Sequence, residues 1–328
     1  MGLKKIPISK SSRVKVGLTI GDPSGIGPAI AVKAVRELAG FVDLLIIGDL
    51  FVLNKIPGFS SIPRSGIEVA DLKNVKREGF RFGRIKPEYG RASVEYLDKA
   101  LQLLKDNQIG CLVTCPISKE AINKAGFRYS GHTEYFIEKT KTSQVVMMLL
   151  NKSIRFSLVT RHIPIKNVAK ELTVDKIFNV TRTTCLSLKN NFNLTSPRIV
   201  ICGLNPHASD NGLIGSEEEE IIKPAIDKLR KAFKNIDGPL SADVAIYKAF
   251  KGEYDAVVVM YHDQALIPLK ITGKDSGVNM TLGLPFIRTS PLHGTAFDIA
   301  GKHKFANASS LISAIKLAVK CASDQKKA

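Results

Sequence analysis

Tryptophan is absent from the 328-residue chain, and no apolar run approaches the roughly 20 residues that a membrane helix requires. The longest such run, Val145–Leu150, has the length of a strand, so no membrane partner is expected. No apolar stretch follows the basic start Met1-Gly2-Leu3-Lys4-Lys5-Ile6, which argues against a secretory signal, and position 6 lacks the Ser or Thr of a myristoylation motif. Cysteine is sparse and odd in number: Cys111, Cys115, Cys185, Cys202 and Cys321 form no CxxC pair. That pattern favours reduced, mostly buried thiols of a cytoplasmic protein over a disulfide or a zinc cluster. Internal repeats and Pro/Ser-rich linkers are also missing. Acidic residues are the scarcer charge, with 30 Asp and Glu against 48 Lys and Arg, a formal net charge of +18. The lysines are scattered and no basic–aromatic interleaving accompanies them, so the charge reads as a solvated surface that attracts small anions. A nucleic-acid-binding protein is the rival reading of that charge, and it would show a steep salt dependence.

What remains is ordinary globular composition, 44% hydrophobic and 24% charged, at a length that suggests about two domains. Short β-branched runs alternate with segments of helical period. The sequence predicts strands over Val14–Ile20, Val42–Ile47, Cys111–Thr114, Val145–Leu150, Ile154–Val159, Arg198–Cys202 and Asp255–Met260. Several are apolar without alternation, as in Val257-Val258-Val259-Met260, which suits strands buried on both faces of a largely parallel sheet. Amphipathic helices are expected over Ala29–Leu38, Ala92–Lys105 and Ser309–Cys321, and after Ser216, where Ser216 and Glu219 read as a capping box. Pro224 should kink the first turn of that last helix or split it off. The alternation predicts an α/β protein with helices on both sides of the sheet.

Three histidines share a setting, because His162, His207 and His262 each follow the carboxyl end of an expected strand. Parallel strands would bring those ends to one edge, where open α/β sheets bind ligands, and three converging imidazoles would make a divalent-metal site. The alternative is that each is a separate loop or core residue. The turn Gly21-Asp22-Pro23-Ser24-Gly25-Ile26-Gly27-Pro28 carries neither a Rossmann fingerprint nor a P-loop, and it reads equally as a plain strand–helix connection or a binding loop. Gly131-His132-Thr133-Glu134 opens an expected helix whose N–H groups favour an anion. Lys270, Asn279 and Arg288 are polar residues in apolar or Gly-rich surroundings, and Arg288 could clamp a phosphate or carboxylate. The Gly/Ala-rich run Pro291–Gly301 could approach a flat ligand closely.

Taken in order, Thr19–Pro28, Gly131–Glu134, Gly203-Leu204-Asn205-Pro206-His207-Ala208, Tyr261-His262-Asp263-Gln264 and Pro291–Gly301 resemble the 4-hydroxythreonine-4-phosphate dehydrogenase family of vitamin B6 biosynthesis nearly end to end. The last loop is also similar to the adenosine-side loop of isocitrate and isopropylmalate dehydrogenases. The resemblance implies their fold, two α/β/α lobes with a cleft between them rather than a Rossmann domain. Residues 1–125 plus 285–328 would form the cofactor-side lobe, and 126–284 the metal, substrate and dimerisation lobe. It implies NAD- or NADP-dependent oxidation of 4-phosphooxy-L-threonine to a 3-oxo acid that decarboxylates to 3-amino-2-oxopropyl phosphate. It further implies a homodimer, with one divalent ion (zinc, magnesium or cobalt) at His162, His207 and His262 shared across the interface. His132, Thr133, Lys270, Asn279 and Arg288 match the family's substrate contacts, and His293, Gly294, Thr295, Ala296 and Asp298 fall in its cofactor loop.

Asp243, Asp263 and Lys270 are candidates for the general base, which the sequence does not single out. The chain departs from the expected pattern at Ser24, where Ala is as readily expected, and at Ala29, where an acidic residue is common. These departures leave open which family substrate is used. Related dehydrogenases act on D-threonate or D-erythronate 4-phosphate, and one branch acts on aromatic dihydrodiols. A non-catalytic metal-binding homologue is a further alternative, against which the intact histidine set and cofactor loop argue.

Overall fold

The computed structural model describes residues 14–63, 65–273 and 275–325, so the readings made on the first six residues lie outside the described residues. The chain divides into two compact units. One runs to Glu134 and resumes over Phe286–Ser323; the other comprises Tyr135–Pro285 and the residues from Asp324 on.

The first unit holds strands β1 (Val16–Thr19), β2 (Leu44–Gly48), β3 (Ile67–Asp71), β4 (Cys111–Thr114) and β11 (Arg288–Pro291). They lie in the order β3-β2-β1-β4-β11, every pair parallel. The second unit holds β5 (Val146–Leu150), β6 (Arg155–Leu158), β7 (Ile199–Cys202), β8 (Ile236–Leu240), β9 (Ala256–Val259) and β10 (Val278–Leu282). Their order is β10-β5-β6-β9-β7-β8; β5 pairs antiparallel with β10 and β6, and the remaining pairs are parallel. All seven expected strands are present, shortened by a residue or two at some ends. Strands β1, β4, β7 and β9 are buried throughout, as their unbroken apolar runs require of parallel strands covered on both faces.

The helices are α1 (Gly27–Leu38), α2 (Leu50–Asn54), α3 (Pro87–Lys105), α4 (Lys119–Lys124), α5 (His132–Thr140), α6 (Val168–Glu171), α7 (Val174–Phe192), α8 (Lys223–Arg230), α9 (Ala242–Phe250), α10 (His262–Gly273) and α11 (Ser309–Gln325). Val94, Leu97, Ala100 and Leu103 form the buried stripe of α3, whose N-terminus precedes the expected one because Pro87 starts the helix well. The expected capping box does not form. A wide turn over Glu218–Ile222 comes first, preceded by Glu217 without a side-chain cap, and Glu219 turns instead to Lys223. Pro224 then sits in the first turn of α8, where its missing N–H costs nothing, so the chain splits there as expected. All five cysteines are buried and none is joined to another.

Candidate active site

Parallel β6, β9, β7 and β8 send their carboxyl ends to one edge of the second unit. In that spatial order the connections after them carry His162, His262, His207 and Asp243, although the four are scattered over more than 80 residues of sequence. The rings of His162 and His262 lie 5.6 Å apart between centroids. Both line a cavity of about 260 Å³ together with Arg161, Tyr261 and Asp263.

Asp263 Oδ1 lies 2.7 Å from His262 Nδ1. A proton on Nδ1, shared with that carboxylate, leaves the Nε2 lone pair of His262 as the donor, the arrangement that metal-ligating histidines adopt. His207 lies in a 3₁₀ turn, Pro206–Asp210, and exposes its ring. Hydrogen bonds from Ser241 Oγ and the Val244 N–H, joined by the charge of His207, hold the Asp243 carboxyl below its usual range. Among the described residues no group of three or more His, Cys, Asp or Glu side chains is gathered closely enough to hold a metal ion. The single chain thus brings His162 to His262 and His207 to Asp243.

On α10, Lys270 is exposed, two turns beyond His262. Asn279 is half-buried on β10, opposite Leu149 of β5, and its Oδ1 is enclosed without a hydrogen-bond partner. A buried amide oxygen left unpaired is costly, so a donor from a ligand would be favourable there.

In the first unit, Arg288 opens β11 and is only 2% exposed. Its Nε and Nη2 donate to Thr114 Oγ1 at 3.2 and 2.6 Å. Burial lowers the guanidinium to about 9, so it is still a cation at neutral pH. Burial, then the charge of Arg288, holds the His132 imidazole well below its ordinary value, and His132 is therefore a neutral ring. Thr133 is buried beside it in the first turn of α5. A neutral imidazole, a hydroxyl, helix N–H groups and a desolvated guanidinium make a strong site for an anionic oxygen cluster.

The loop after β11 exposes His293, Gly294 and Asp298. Around Gly294 no atom lies within 4 Å of where a Cβ would sit. The base of this loop is fixed, since Leu292 N donates to Ser310 Oγ at 2.9 Å and Ile26 N donates to Thr295 O at 2.8 Å. Every residue of the Gly21–Pro28 turn is buried, and Ile26 of this turn supports the base of the loop. Gly27 is required there, since a Cβ would meet Ile20 O at 2.0 Å. Ser24 Oγ donates to Arg84 O with Asp22 Oδ1 also within reach at 3.2 Å, contacts that an alanine could not make.

Three residues of this framework escape a reading of the sequence. Thr114 is one hydroxyl in a buried strand, and that polarity was the available signal. Gln264 closes the Tyr261-His262-Asp263-Gln264 motif with no role read for it, and Glu218 is one of four consecutive glutamates, yet it alone of them is completely buried. A larger hollow of about 360 Å³ beside Asp49, Phe51, Asp71 and Arg77 contains none of the residues singled out above.

The family model described as pyridoxal phosphate biosynthetic protein PdxA matches residues 42–318. A 4-hydroxythreonine-4-phosphate dehydrogenase of Sulfurihydrogenibium sp. is 41% identical over 317 residues, 93% of this chain and 98% of the relative. A relative from Oceanobacillus iheyensis, which carries the provisional name D-threonate 4-phosphate dehydrogenase, is 38% identical over 311 residues, 89% of this chain and 93% of its own length. The crystal structure of a 4-hydroxythreonine-4-phosphate dehydrogenase from Klebsiella pneumoniae matches with a TM-score of 0.87 at 34% identity, covering 96% of this chain and 99% of that one.

Proposed function

The chain belongs to the PdxA family, whose similar relatives are dehydrogenases, and from that premise we propose that it oxidises 4-phosphooxy-L-threonine at its secondary alcohol with NAD or NADP. The 3-oxo acid so formed loses carbon dioxide to give 3-amino-2-oxopropyl phosphate. The observation that carries this reading is the common edge of β6, β9, β7 and β8, whose neighbouring carboxyl ends lead to His162, His262, His207 and Asp243 in turn.

The donor set fits a divalent ion, because His262 has the carboxylate partner that directs Nε2 outward and His162 stands beside it. We assign the ion to His162, His207 and His262, with the ligand set completed between two copies of the chain. When bound, such an ion supplies Lewis acidity toward the oxygen of the reacting carbon. A homodimer is supported by the large apolar side chains left exposed in the same unit, Tyr247 on α9 and Ile267 and Ile271 on α10. No helix among the described residues is long and apolar enough to cross a membrane, and a cytoplasmic location is proposed with the biosynthetic role.

The remaining roles follow from chemistry. Arg288, His132 and Thr133 of the first unit are assigned to an anionic end of the substrate, and in the second unit the enclosed, unpaired Oδ1 of Asn279 supports the substrate role that the resemblance implies for Asn279 and Lys270. The loop residues His293, Gly294, Thr295, Ala296 and Asp298 take the adenosine side of the cofactor, with His293, Gly294 and Asp298 exposed to it. The first unit thus takes the cofactor and the second the ion. Among the base candidates, Asp263 is engaged in orienting His262 and Asp243 is held ionised by its neighbours. Asp243, Asp263 and Lys270 stay the three candidates for the proton transfer.

The Oceanobacillus iheyensis relative favours one alternative substrate, D-threonate 4-phosphate. Turnover of the two substrates, followed by reduced-nicotinamide absorbance with and without chelator, separates the readings. Faster turnover of the threonine derivative, lost on chelation and regained with a divalent ion, is expected. Turnover of neither substrate would overturn the proposal.

A further inference from the structure

The turn that carries His207 is unusual in its backbone. His207, Ala208, Ser209, Asp210 and Asn211 have φ values of 54°, 53°, 68°, 47° and 56°, five consecutive left-handed residues without a glycine among them. Side chains crowd the following carbonyl in that conformation, so it persists only where its surroundings over-determine it. What fixes it lies at its base. The Glu218 carboxylate, 0% exposed, accepts from Leu204 N at 2.7 Å and Asn205 N at 2.8 Å through Oε1, and from Asn205 Nδ2 at 2.8 Å through Oε2. These donors sit two and three residues before His207, and a buried carboxylate is retained only where such donors meet it. The fit is close, since a Cβ on Gly203 would lie 3.0 Å from both Glu218 Oε1 and Ala208 Cα.

A second side chain joins this turn to its neighbour. Gln264 Nε2 donates to Gly203 O at 2.9 Å, and Gln264 Oε1 accepts from Met260 N at 2.8 Å. One buried carboxamide therefore ties the end of β7, four residues before His207, to the end of β9, two residues before His262. Glu218 and Gln264 spend both ends of their side chains on backbone groups and on Asn205.

We infer that Glu218 and Gln264 are positioning residues that anchor the turn presenting His207, one of the ligands assigned to the divalent ion, an inference that rests on the metal assignment proposed above. Glu218 holds the left-handed turn in the shape that presents His207, and Gln264 fixes the offset of that turn from the His262 turn. Neither residue binds the ion.

The test uses the full-length, metal-free protein and cobalt(II) as the probe, followed by its visible absorption. Glu218→Gln keeps size and one acceptor oxygen but turns an N–H₂ group toward Asn205 Nδ2. Gln264→Met keeps length and removes both bonds. Each variant is expected to bind cobalt(II) roughly 10- to 100-fold more weakly than the parent, with an altered absorption envelope. The KM for the nicotinamide cofactor, whose loop lies in the other unit, is expected to stay within twofold of the parent. A purely structural role would move the melting temperature of the metal-free protein and leave the cobalt affinity and spectrum of the folded fraction alone. Cobalt affinity within twofold of the parent in both folded variants overturns the inference. Should Glu218→Gln fail to fold, Gln264→Met carries the same readout with the carboxylate in place. His207→Ala measured alongside separates the two levels: binding as tight as the parent's in that variant brings down the metal assignment itself, whereas lost binding there with parental binding in Glu218→Gln and Gln264→Met brings down only their positioning role.

Discussion

Thr114 Oγ1 receives two N–H bonds from Arg288, at 3.2 Å from Nε and 2.6 Å from Nη2, although Arg288 opens β11 in register with Leu112, two residues before Thr114 on β4. A guanidinium that is only 2% exposed needs its fork fixed, or it spends binding free energy on being oriented by the ligand. Replacing Thr114 by Val keeps the shape and removes the acceptor, a loss of about 1.5–3 kcal/mol for bonds to a charged group. We expect Thr114→Val to raise the KM for the phosphorylated substrate about tenfold while the KM for the nicotinamide cofactor changes less than twofold. Equal increases in both would count against an orienting role for Thr114.

The Asp263–His262 pair bears on the ion. Asp263→Ala frees the His262 ring and the choice of its protonated nitrogen, and should weaken divalent-ion binding by about 10- to 100-fold. Activity of the parent should collapse on chelation and return with zinc, magnesium or cobalt, whereas the variant should need higher ion concentrations for the same recovery. Identical ion titrations for the two proteins would rule out the pairing as a functional one.

Ile267 and Ile271, 59% and 75% exposed, stand one turn apart on α10 and so share a face of the helix that begins at His262. Apolar side chains of that size and exposure are expected to be covered by a second copy. The double change Ile267→Lys and Ile271→Lys should yield a monomer in size-exclusion chromatography at micromolar concentration, with at least tenfold weaker metal uptake. A variant that still elutes as the parent does would move the interface elsewhere.

Asp22 supplies a pH dependence of known sign. Burial, opposed in part by the Ser24 and Gly25 hydrogen bonds, raises its carboxyl from 3.8 to about 6. Below the unfolded value both states are protonated and the group contributes nothing. Between the two values the folded state keeps a proton that the unfolded chain has released, so stability falls as pH rises. Above 6 the full cost, about 3 kcal/mol, is present. Asp22→Asn escapes this cost while keeping an oxygen for Ser24. Urea midpoints at pH 4 and pH 7 should show the variant gaining on the parent by about that amount across the interval. A constant difference across it would mean that Asp22 ionises normally.

The sequence displays those strands whose burial is written in apolar side chains, and hides those whose burial is not. β3 is an edge strand, half-exposed, whose Ile-Glu-Val-Ala-Asp pattern is too short to stand out. β8 is an edge strand of the second unit and carries Gly238 and Pro239, residues that argue against a strand except at an edge. β11, Arg-Thr-Ser-Pro, is buried at every position although it has no aliphatic residue, because its polar groups find partners such as Thr114 and Ala314. The site follows the same rule. The histidines are legible because each ends a recognisable strand. Glu218 is not, because three neighbouring glutamates conceal the one that the fold turns inward.

Gly294 offers the sharpest test of the cofactor assignment. No atom lies within 4 Å of its missing Cβ, and its backbone is not among those with positive φ. A side chain there meets neither neighbours nor conformational strain, so Gly294→Val should leave the melting temperature within about a degree or two of the parent. If the loop lies against the adenosine side of the cofactor, two added methyl groups stand where the cofactor approaches. The KM for NAD or NADP should then rise at least tenfold, roughly 1.4 kcal/mol of lost binding, while divalent-ion affinity in the other unit is untouched. An unchanged cofactor KM in that variant would remove His293, Gly294, Thr295, Ala296 and Asp298 from the cofactor site, whatever the rest of the fold implies.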